Sequence, residues 1–555
     1  MPTSWYQAIP AILDSIIAEK PQSILDVGIG FGKFGMLIRD VLEIPFERYD
    51  KKYWKTRLDG IEVFEDYKNP IHDHIYDNVY YSDVFDVIDR LPDYDVILLI
   101  DVIEHFSKAK GYNLLRLLLK HTNRALIVST PLYPEPQTAY LGNEYEQHES
   151  RWSIIDLSEF RHSYQSVRVG DNWAQIFTIR PPDSLFKNPN VENVDRPVNI
   201  PADSMRPMTL GYVLPHKNLT GGMKMLLQQM KIMRMMGNRI YALGSGEFGE
   251  SVLPDWSETT VDREILVTPG NSYLDYVEDC DVIMAGWVSQ VPRLVNSKVP
   301  VVYWEQGHEW LFGDGLTNEL EHYLETCYRQ PCYLAAVSPL VAGIIETRYD
   351  RRAIVLLNGI DTDFYYPGDK SNSNTILLVG NPALRFKGLD VAVRTLCTVK
   401  AAGYDFSVKW VCQSKPSINN LPFPITYIVN PSQDQLAQEY RTSDIFLFTS
   451  WYEGFGMPPL EAMASGVSVV TTACGGNDTY VDQGFNALVA EPGDVRSLAA
   501  SVIYLLENEH ARQKMGANGR RTALRLALPK MVGMVDAYLR SVIESWRNAY
   551  RHVRD

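Results

Sequence analysis

The sequence of 555 residues has only six cysteines, and Cys280, Cys327, Cys332, Cys397, Cys412 and Cys474 show neither a C-x-x-C pair nor a framework spacing. A disulfide scaffold is therefore excluded, and reduced, mostly buried thiols in a cytoplasmic protein are expected. Excess positive charge is also missing. The net charge of -15 excludes an unspecific grip on nucleic acid, which needs basic surface. The first residues, Met1-Pro-Thr-Ser-Trp-Tyr6, lack a basic stretch followed by an apolar run, so no secretory signal is expected. No apolar run approaches the roughly 20 residues of a membrane helix. A peripheral contact with a membrane surface stays open, and nothing specifies an oligomeric state. What is present is ordinary globular composition, 45% hydrophobic, over a length that calls for several domains.

Three blocks follow one another. Up to about residue 180, short apolar runs alternate with amphipathic stretches: Ser23-Ile-Leu-Asp-Val27, Leu58-Asp-Gly-Ile-Glu62, Val96-Ile-Leu-Leu-Ile100 and Ala125-Leu-Ile-Val-Ser129. Strands alternating with helices predict a parallel sheet covered on both faces. Residues 181–206 carry Pro181, Pro182, Pro189, Pro197 and Pro201 among Asn and Asp, which is linker composition. The alternation restarts with Met208-Thr-Leu-Gly-Tyr-Val213 and again, after Tyr366-Pro-Gly-Asp-Lys370, with Thr375-Ile-Leu-Leu-Val379. Residues 207–368 and 369–555 therefore read as two doubly wound α/β domains with a cleft between them. The second ends in a closing amphipathic helix. Ligands of such sheets bind beyond the carboxyl ends of the strands.

Two segments carry chemistry. In the first block, Asp26-Val-Gly28-Ile-Gly30-Phe-Gly32 runs from a strand into a glycine turn, which lets backbone approach a ligand closely. Glu62 ends the second strand, where an acid can accept from ribose hydroxyls. Asp83 lies near the end of the third, in reach of an adenine amino group. Asp101-Val-Ile-Glu104-His105 brings polar groups to the end of the fourth. In the last block, Glu453-Gly454-Phe455-Gly456-Met-Pro-Pro-Leu-Glu461 follows the apolar strand Ile445-Phe-Leu-Phe-Thr449. Pro458 and Pro459 introduce a helix whose first turn is expected to hold Glu461. Free N–H groups at such a helix start suit an anion, and carboxylates accept from sugar hydroxyls. Together they suit a sugar joined to a nucleoside diphosphate. Leu219-Thr-Gly221-Gly222, His308 after the strand ending near Trp304, and the cations Arg385 and Lys387 are its expected companions.

The ensemble around Asp26, Gly28, Gly30, Gly32, Glu62, Asp83 and Asp101 resembles the class I S-adenosylmethionine-dependent methyltransferases, over roughly residues 5–180. The resemblance implies that Asp26 and the three glycines surround the methionine part of the cofactor, Glu62 the ribose and Asp83 the adenine. The span before Glu62 is longer than usual for that family, and Pro45 to Arg57 looks like an insertion. A nicotinamide site would prefer G-x-G-x-x-G/A, which Lys33 does not supply. His105 and His148 are base candidates, a hydrogen-bonded loop histidine being the plainer reading of each.

Residues 207–550 resemble the family 4 glycosyltransferases of GT-B fold. That implies a donor sugar at Glu453 and His308, a ribose at Glu461 and a diphosphate at Lys387, with retention of anomeric configuration. Gly222, Arg385, Gly454, Phe455 and Gly456 complete the implied donor site. The family's usual Arg after the first strand's glycine is here Asn381.

The expected fold is thus α/β, one Rossmann-like methyltransferase domain followed by a GT-B pair. The expected activities are methyl transfer from S-adenosyl-L-methionine and sugar transfer from a nucleotide sugar to a glycan or other hydroxyl acceptor. No acid cluster demands Mg²⁺, so no metal is expected. The alternative is a glycosyltransferase with a non-catalytic front domain.

Overall fold

The structure, a computed structural model, describes residues 5–134, 143–154, 156–157, 160–170, 172–181, 206–218, 221–246, 250–268, 270–368, 373–416, 418 and 420–551. Apart from its two ends, the expected linker 181–206 lies outside the described residues. The chain forms two compact units. The first is Met1–Asp195 with Glu309–Glu325 and Gly343–Asp350, and the second is Arg196–His308, Thr326–Ala342 and Arg351–Asp555.

In the first unit the strands are β1 (Ser23–Val27), β2 (Arg57–Glu62), β3 (Asn78–Tyr81), β4 (Tyr94–Ile100), β5 (Thr122–Pro131), β6 (His162–Val169) and β7 (Asn172–Ile179). They form one seven-stranded sheet in the order β3-β2-β1-β4-β5-β7-β6. Strands β1 to β5 are parallel, as the apolar runs imply, and the order reverses between β1 and β4. The last two strands depart from the expected all-parallel sheet: β7 runs antiparallel to both β5 and β6. Gly170, at φ 59, turns this hairpin. Ile12, Ile16 and Ile38, on the helices Ile9–Glu19 and Lys33–Leu42, join Ile24, Val96 and Ile127 of the sheet in the core. The long span before β2 is anchored by buried Glu43, whose carboxylate accepts from the Thr56 N–H at 2.8 Å and Arg48 Nε at 2.5 Å.

Part of the span expected to be a separate domain from residue 207 to 368 belongs to this first unit. Ser166 Oγ donates to the Leu316 carbonyl at 2.7 Å, and Tyr133 donates to Asp314 at 2.9 Å. Polar side chains from the β6–β7 end of the sheet thus hold the 309–325 segment.

The second unit has two wholly parallel sheets. One joins β8 (Thr209–Val213), β9 (Arg239–Ser245), β10 (Arg263–Val267), β11 (Val282–Ala285), β12 (Val301–Glu305), β13 (Tyr333–Ala336) and β14 (Ile354–Val355) in the order β10-β9-β8-β11-β12-β13-β14. The other joins β15 (Thr375–Val379), β16 (Ser407–Cys412), β17 (Ile425–Val429), β18 (Ile445–Phe448), β19 (Ser468–Thr472) and β20 (Ala487–Ala490) in the order β17-β16-β15-β18-β19-β20. The chain passes from one sheet to the other at Ile360 and returns at Ala527. These two crossings bridge each other: the Ile360 N–H donates to Leu526 O at 2.9 Å and the Leu528 N–H to Ile360 O at 2.8 Å.

The closing helix, Leu528–Arg551, does not end the last domain as expected. It packs back on the β8–β14 layer. Asn238 Nδ2 donates to Asp536 at 3.1 Å, Arg547 pairs with Asp281 at 2.8 Å, and Val535 and Leu539 are buried. Among the described residues no helix is long and apolar enough to cross a membrane. Leu539→Ala should cost about 2–5 kcal/mol of stability, because it removes a fully buried leucine from this seam. Urea unfolding of the full chain measures it, and a change within error would show that the helix is not part of the cooperative unit.

Candidate active sites

In the first unit a cavity of about 410 Å³ opens where β1, β2 and β4 end. The reversal of strand order between β1 and β4 leaves a crevice there. Asp26, Gly28, Gly30, Glu62, Asp101 and His105, all singled out in the sequence, line it together with Glu104 and His148. Gly28, Gly30 and Gly32 have φ of 78, 53 and 85, backbone that a side chain would strain, so the glycine spacing follows from the turn itself. Asp101 also takes a positive φ, 52, and accepts from Ser129 Oγ at 3.1 Å. Gly32 and Asp83 do not line the cavity. Gly32 precedes the helix Lys33–Leu42, where an added Cβ would come 3.1 Å from Ile71. Asp83 caps its own helix, Val84–Val87, accepting from the Phe85 N–H at 3.0 Å. One N–H occupies only part of its acceptor capacity, so the capping role and the expected contact with adenine are compatible.

The cavity is lined by several acidic groups. Glu62 accepts from the Gly30 N–H at 2.8 Å and the Phe64 N–H at 2.9 Å, which ties the glycine turn to the end of β2. Burial nevertheless pushes its carboxyl up to about 7. Asp26 accepts from Tyr76 at 2.7 Å, and burial pushes it up to about 6. Burial, and then the nearby Asp101, raises Glu104 well above the usual carboxylate range. Burial lowers His105, which keeps its imidazole neutral. Glu104, His105 and His148 converge: one ligand atom of each lies within 4.8 Å of the others.

The second unit builds its site from both sheets. Beyond β18, the Glu453 N–H donates to Cys474 O at 3.0 Å, and its carboxylate accepts from Lys387 Nζ at 2.7 Å and Ser450 Oγ at 2.8 Å. Lys387 shares one turn, Arg385–Lys387, with Arg385. Gly456, at φ 79, caps the helix Met457–Ala464, whose first turn holds Pro458 and Pro459 and so leaves terminal N–H groups only on Gly456 and Met457. Phe455 is buried against Tyr480, so its ring packs rather than faces a ligand. Gly454 tolerates no side chain, since a Cβ would lie 2.2 Å from the Gln306 carbonyl. Its own carbonyl accepts from Ser338 Oγ at 2.7 Å. Gly222 lies against the same Gln306, at 3.4 Å from a built Cβ. The glycines of the two halves therefore meet around one loop.

Glu461 falls in the second turn of its helix rather than the first, because the helix begins at Met457. Its carboxylate accepts from Lys224 at 2.9 Å, Tyr365 at 3.1 Å and Tyr440 at 3.0 Å. Burial disfavours the Lys224 charge, but Glu461 and Tyr365 outweigh it and raise its pKa. His308 is buried, with Nε2 at 3.1 Å from Tyr328 and 3.5 Å from Glu305. Glu305 accepts from Tyr303, Tyr328 and the Gly307 N–H. Burial alone would raise the Glu305 carboxyl, yet His308 and these donors hold it below its usual value. Lys224, Glu305, Tyr328 and Ser338 carried no role in the sequence reading. Glu305 was visible three residues before His308, and Lys224 two after Gly222.

Residues 420–522 match the family model described as Glycosyl transferases group 1. An uncharacterized glycosyltransferase of Methanocaldococcus jannaschii is 28% identical over 207 residues, 36% of this chain and 56% of its own. An MMP alpha-(1->4)-mannosyltransferase of Mycolicibacterium hassiacum is 27% identical over 175 residues, 30% of this chain and 42% of its own. The chain spans about half the length of the curated relatives it matches. The Anabaena HepE crystal structure with UDP-glucose overlays with TM-score 0.50 at 15% identity, covering 60% of this chain and 100% of its own. The fold class is accordingly mixed α/β with parallel sheets and GT-B neighbours.

The raised Glu62 carboxyl has a measurable consequence. A folded-state pKa above the unfolded one contributes stability that is fully present below about 4.5 and is lost as pH rises through about 7. Glu62→Gln should flatten the fall in stability across that window, read by denaturant titrations at several pH values. An unchanged slope would mean that Glu62 is already ionised in the fold.

Proposed function

We propose that the protein is a bifunctional transferase. Its second unit transfers a sugar, with retention, from a nucleoside diphosphate sugar to a glycan or other hydroxyl acceptor. The observation that carries this reading is Glu453, held by Lys387 at 2.7 Å on the glycine loop before the helix Met457–Ala464. The helix start and the cations Lys387 and Arg385 neutralise the diphosphate on which negative charge grows as the sugar leaves. Binding of a diphosphate to Lys387 frees Glu453 to accept from donor-sugar hydroxyls. Buried His308, steadied by Glu305 and Tyr328, faces the same cleft from the other half. A carboxylate has about four acceptor sites, so Glu461, with its three partners, keeps one for a ribose hydroxyl. The match over residues 420–522 supports the class of the reaction.

The first unit is assigned methyl transfer from S-adenosylmethionine. The supporting observation is the cavity at the β1/β4 reversal, with Glu62 at the end of β2. A dinucleotide fold would continue with a sixth parallel strand; here an antiparallel hairpin takes that place. The cofactor supplies an electrophilic methyl on a positively charged sulfonium. Asp26, raised to about 6 and so ionised at neutral pH, gives the cavity negative charge that suits such a cation, and the Glu62 carboxylate suits a ribose diol. His105 and His148 line the same cavity and are proposed to face the acceptor hydroxyl. Fusion of the two units holds one site's product near the other, so a sugar hydroxyl of the same glycan is the proposed methyl acceptor.

Product mass spectrometry with a panel of nucleotide sugars, with and without S-adenosylmethionine, tests both activities. Glu453→Ala should lower sugar transfer by at least about a hundredfold, the range for a lost electrostatic group. It should leave S-adenosylmethionine binding by calorimetry unchanged; loss of both would contradict independent sites. Binding without methyl transfer to any product would favour a docking role for the first unit. Cofactor affinity should also weaken between pH 8 and pH 6 as Glu62, raised to about 7, takes up a proton.

A further inference from the structure

The Glu104 carboxylate is almost wholly buried, 2% exposed, yet among the described residues its Oε2 has no hydrogen-bond partner. Leaving a buried carboxylate oxygen unsatisfied is costly. The atom lies on the cavity wall, and its surroundings are built rather than incidental. The Glu149 and Ser150 N–H groups both donate to the Glu104 carbonyl, at 2.9 and 3.0 Å. Ser150 Oγ donates to Phe106 O at 2.6 Å, and Trp152 Nε1 donates to Ile103 O at 3.1 Å. These bonds clamp the segment after Gln147 onto the turn Ile103–His105, and they bring the His148 ring to 5.1 Å from that of His105. His105 Nδ1 lies 3.2 Å from the Gln147 carbonyl. A carbonyl can only accept, so Nδ1 carries the proton and Nε2 is the basic nitrogen of the neutral ring. Orientation of an imidazole by a backbone carbonyl is the usual support of a metal-ligating histidine.

We propose that Glu104, His105 and His148 bind a divalent first-row transition cation, of the Mn²⁺, Fe²⁺, Co²⁺ or Zn²⁺ class. Two imidazoles and one carboxylate suit these ions better than Mg²⁺, which prefers an all-oxygen shell. Three protein ligands leave coordination positions open toward the cavity. The cation would supply the partner that Glu104 Oε2 lacks. Ligation takes the carboxylate form, so a bound cation would oppose the burial that raises this carboxyl. This revises the expectation of a metal-free protein for the first unit only. Resting on the methyl-transfer reading, the open positions take a hydroxyl oxygen of the methyl acceptor and make it more acidic.

The test uses the full chain, stripped with a chelator and titrated with Co²⁺ and Zn²⁺ by calorimetry, with bound metal counted by elemental mass spectrometry. One saturable site per chain is expected. It should be weakened at least about tenfold in Glu104→Gln and in His148→Ala, the order seen when even a ligand's supporting group is removed. Co²⁺ should raise the thermal midpoint of the wild-type chain and not of either variant. Equal affinity in wild type and His148→Ala, or no saturable binding, overturns the proposal. His148 is only half-buried, so that variant serves if Glu104→Gln does not fold. S-adenosylmethionine binding is measured separately on the same samples. A chain that binds Co²⁺ but not S-adenosylmethionine keeps the metal site and loses the methyl-transfer reading, and the converse result loses only the metal.

Discussion

Parallel strands buried on both faces can carry polar chemistry only where they end. Several of the groups described above obey that constraint. Asp26, Glu62 and Asp101 stand at or just beyond the ends of β1, β2 and β4. His308 and Glu453 stand beyond β12 and β18. The strands themselves are almost continuous apolar runs, and the buried carboxylate inside β2, Asp59, is satisfied only by dedicated donors on Arg57, Tyr94 and Asn78. The sheets thus decide where catalysis can be placed before any particular residue decides what it is.

Once confined to strand ends, buried carboxylates need donors, and the protein supplies them in different ways. Glu62 uses backbone N–H groups of the turn it helps to hold. Glu305 uses two tyrosines, an N–H and a histidine. Glu461 draws a lysine from the other half of its unit. Glu104 keeps one oxygen unsatisfied. The first three arrangements hold loops or halves together, whereas an unsatisfied oxygen holds nothing and is intelligible as a place kept for something else.

Much of this was legible from local pattern. The runs 23–27 and 375–379 coincide with β1 and β15 residue for residue, because apolar β-branched stretches bounded by glycine leave little choice. The glycine turns were legible for the same reason: their positive φ values favour glycine. The hairpin of β6 and β7 was not. In His162–Val169 the alternation of small polar and apolar residues is weak, and it followed a region already read as parallel. Strand β17 escaped because it is an edge strand with no wholly buried residue, hence no apolar run. Lys224 escaped for a different reason. Its partner Glu461 is 237 positions away, and nothing in its own neighbourhood marks a lysine as buried. Local chemistry predicts loops and strands, while pairings that close a cleft exist only once the chain has folded.

The paired crossings at Ile360 and Ala527 determine how that cleft can open. Two covalent passages lie side by side and are hydrogen-bonded to each other. Gly359 permits their close approach, since a Cβ there would lie 2.6 Å from the Leu528 backbone. A single strand would let the halves swivel in any direction, but a two-stranded ribbon resists torsion and bends easily in one plane. The helix Leu528–Arg551, anchored on the far layer immediately after the crossing, stiffens the ribbon further. Such a joint favours bending about one axis over free swivelling of the two halves.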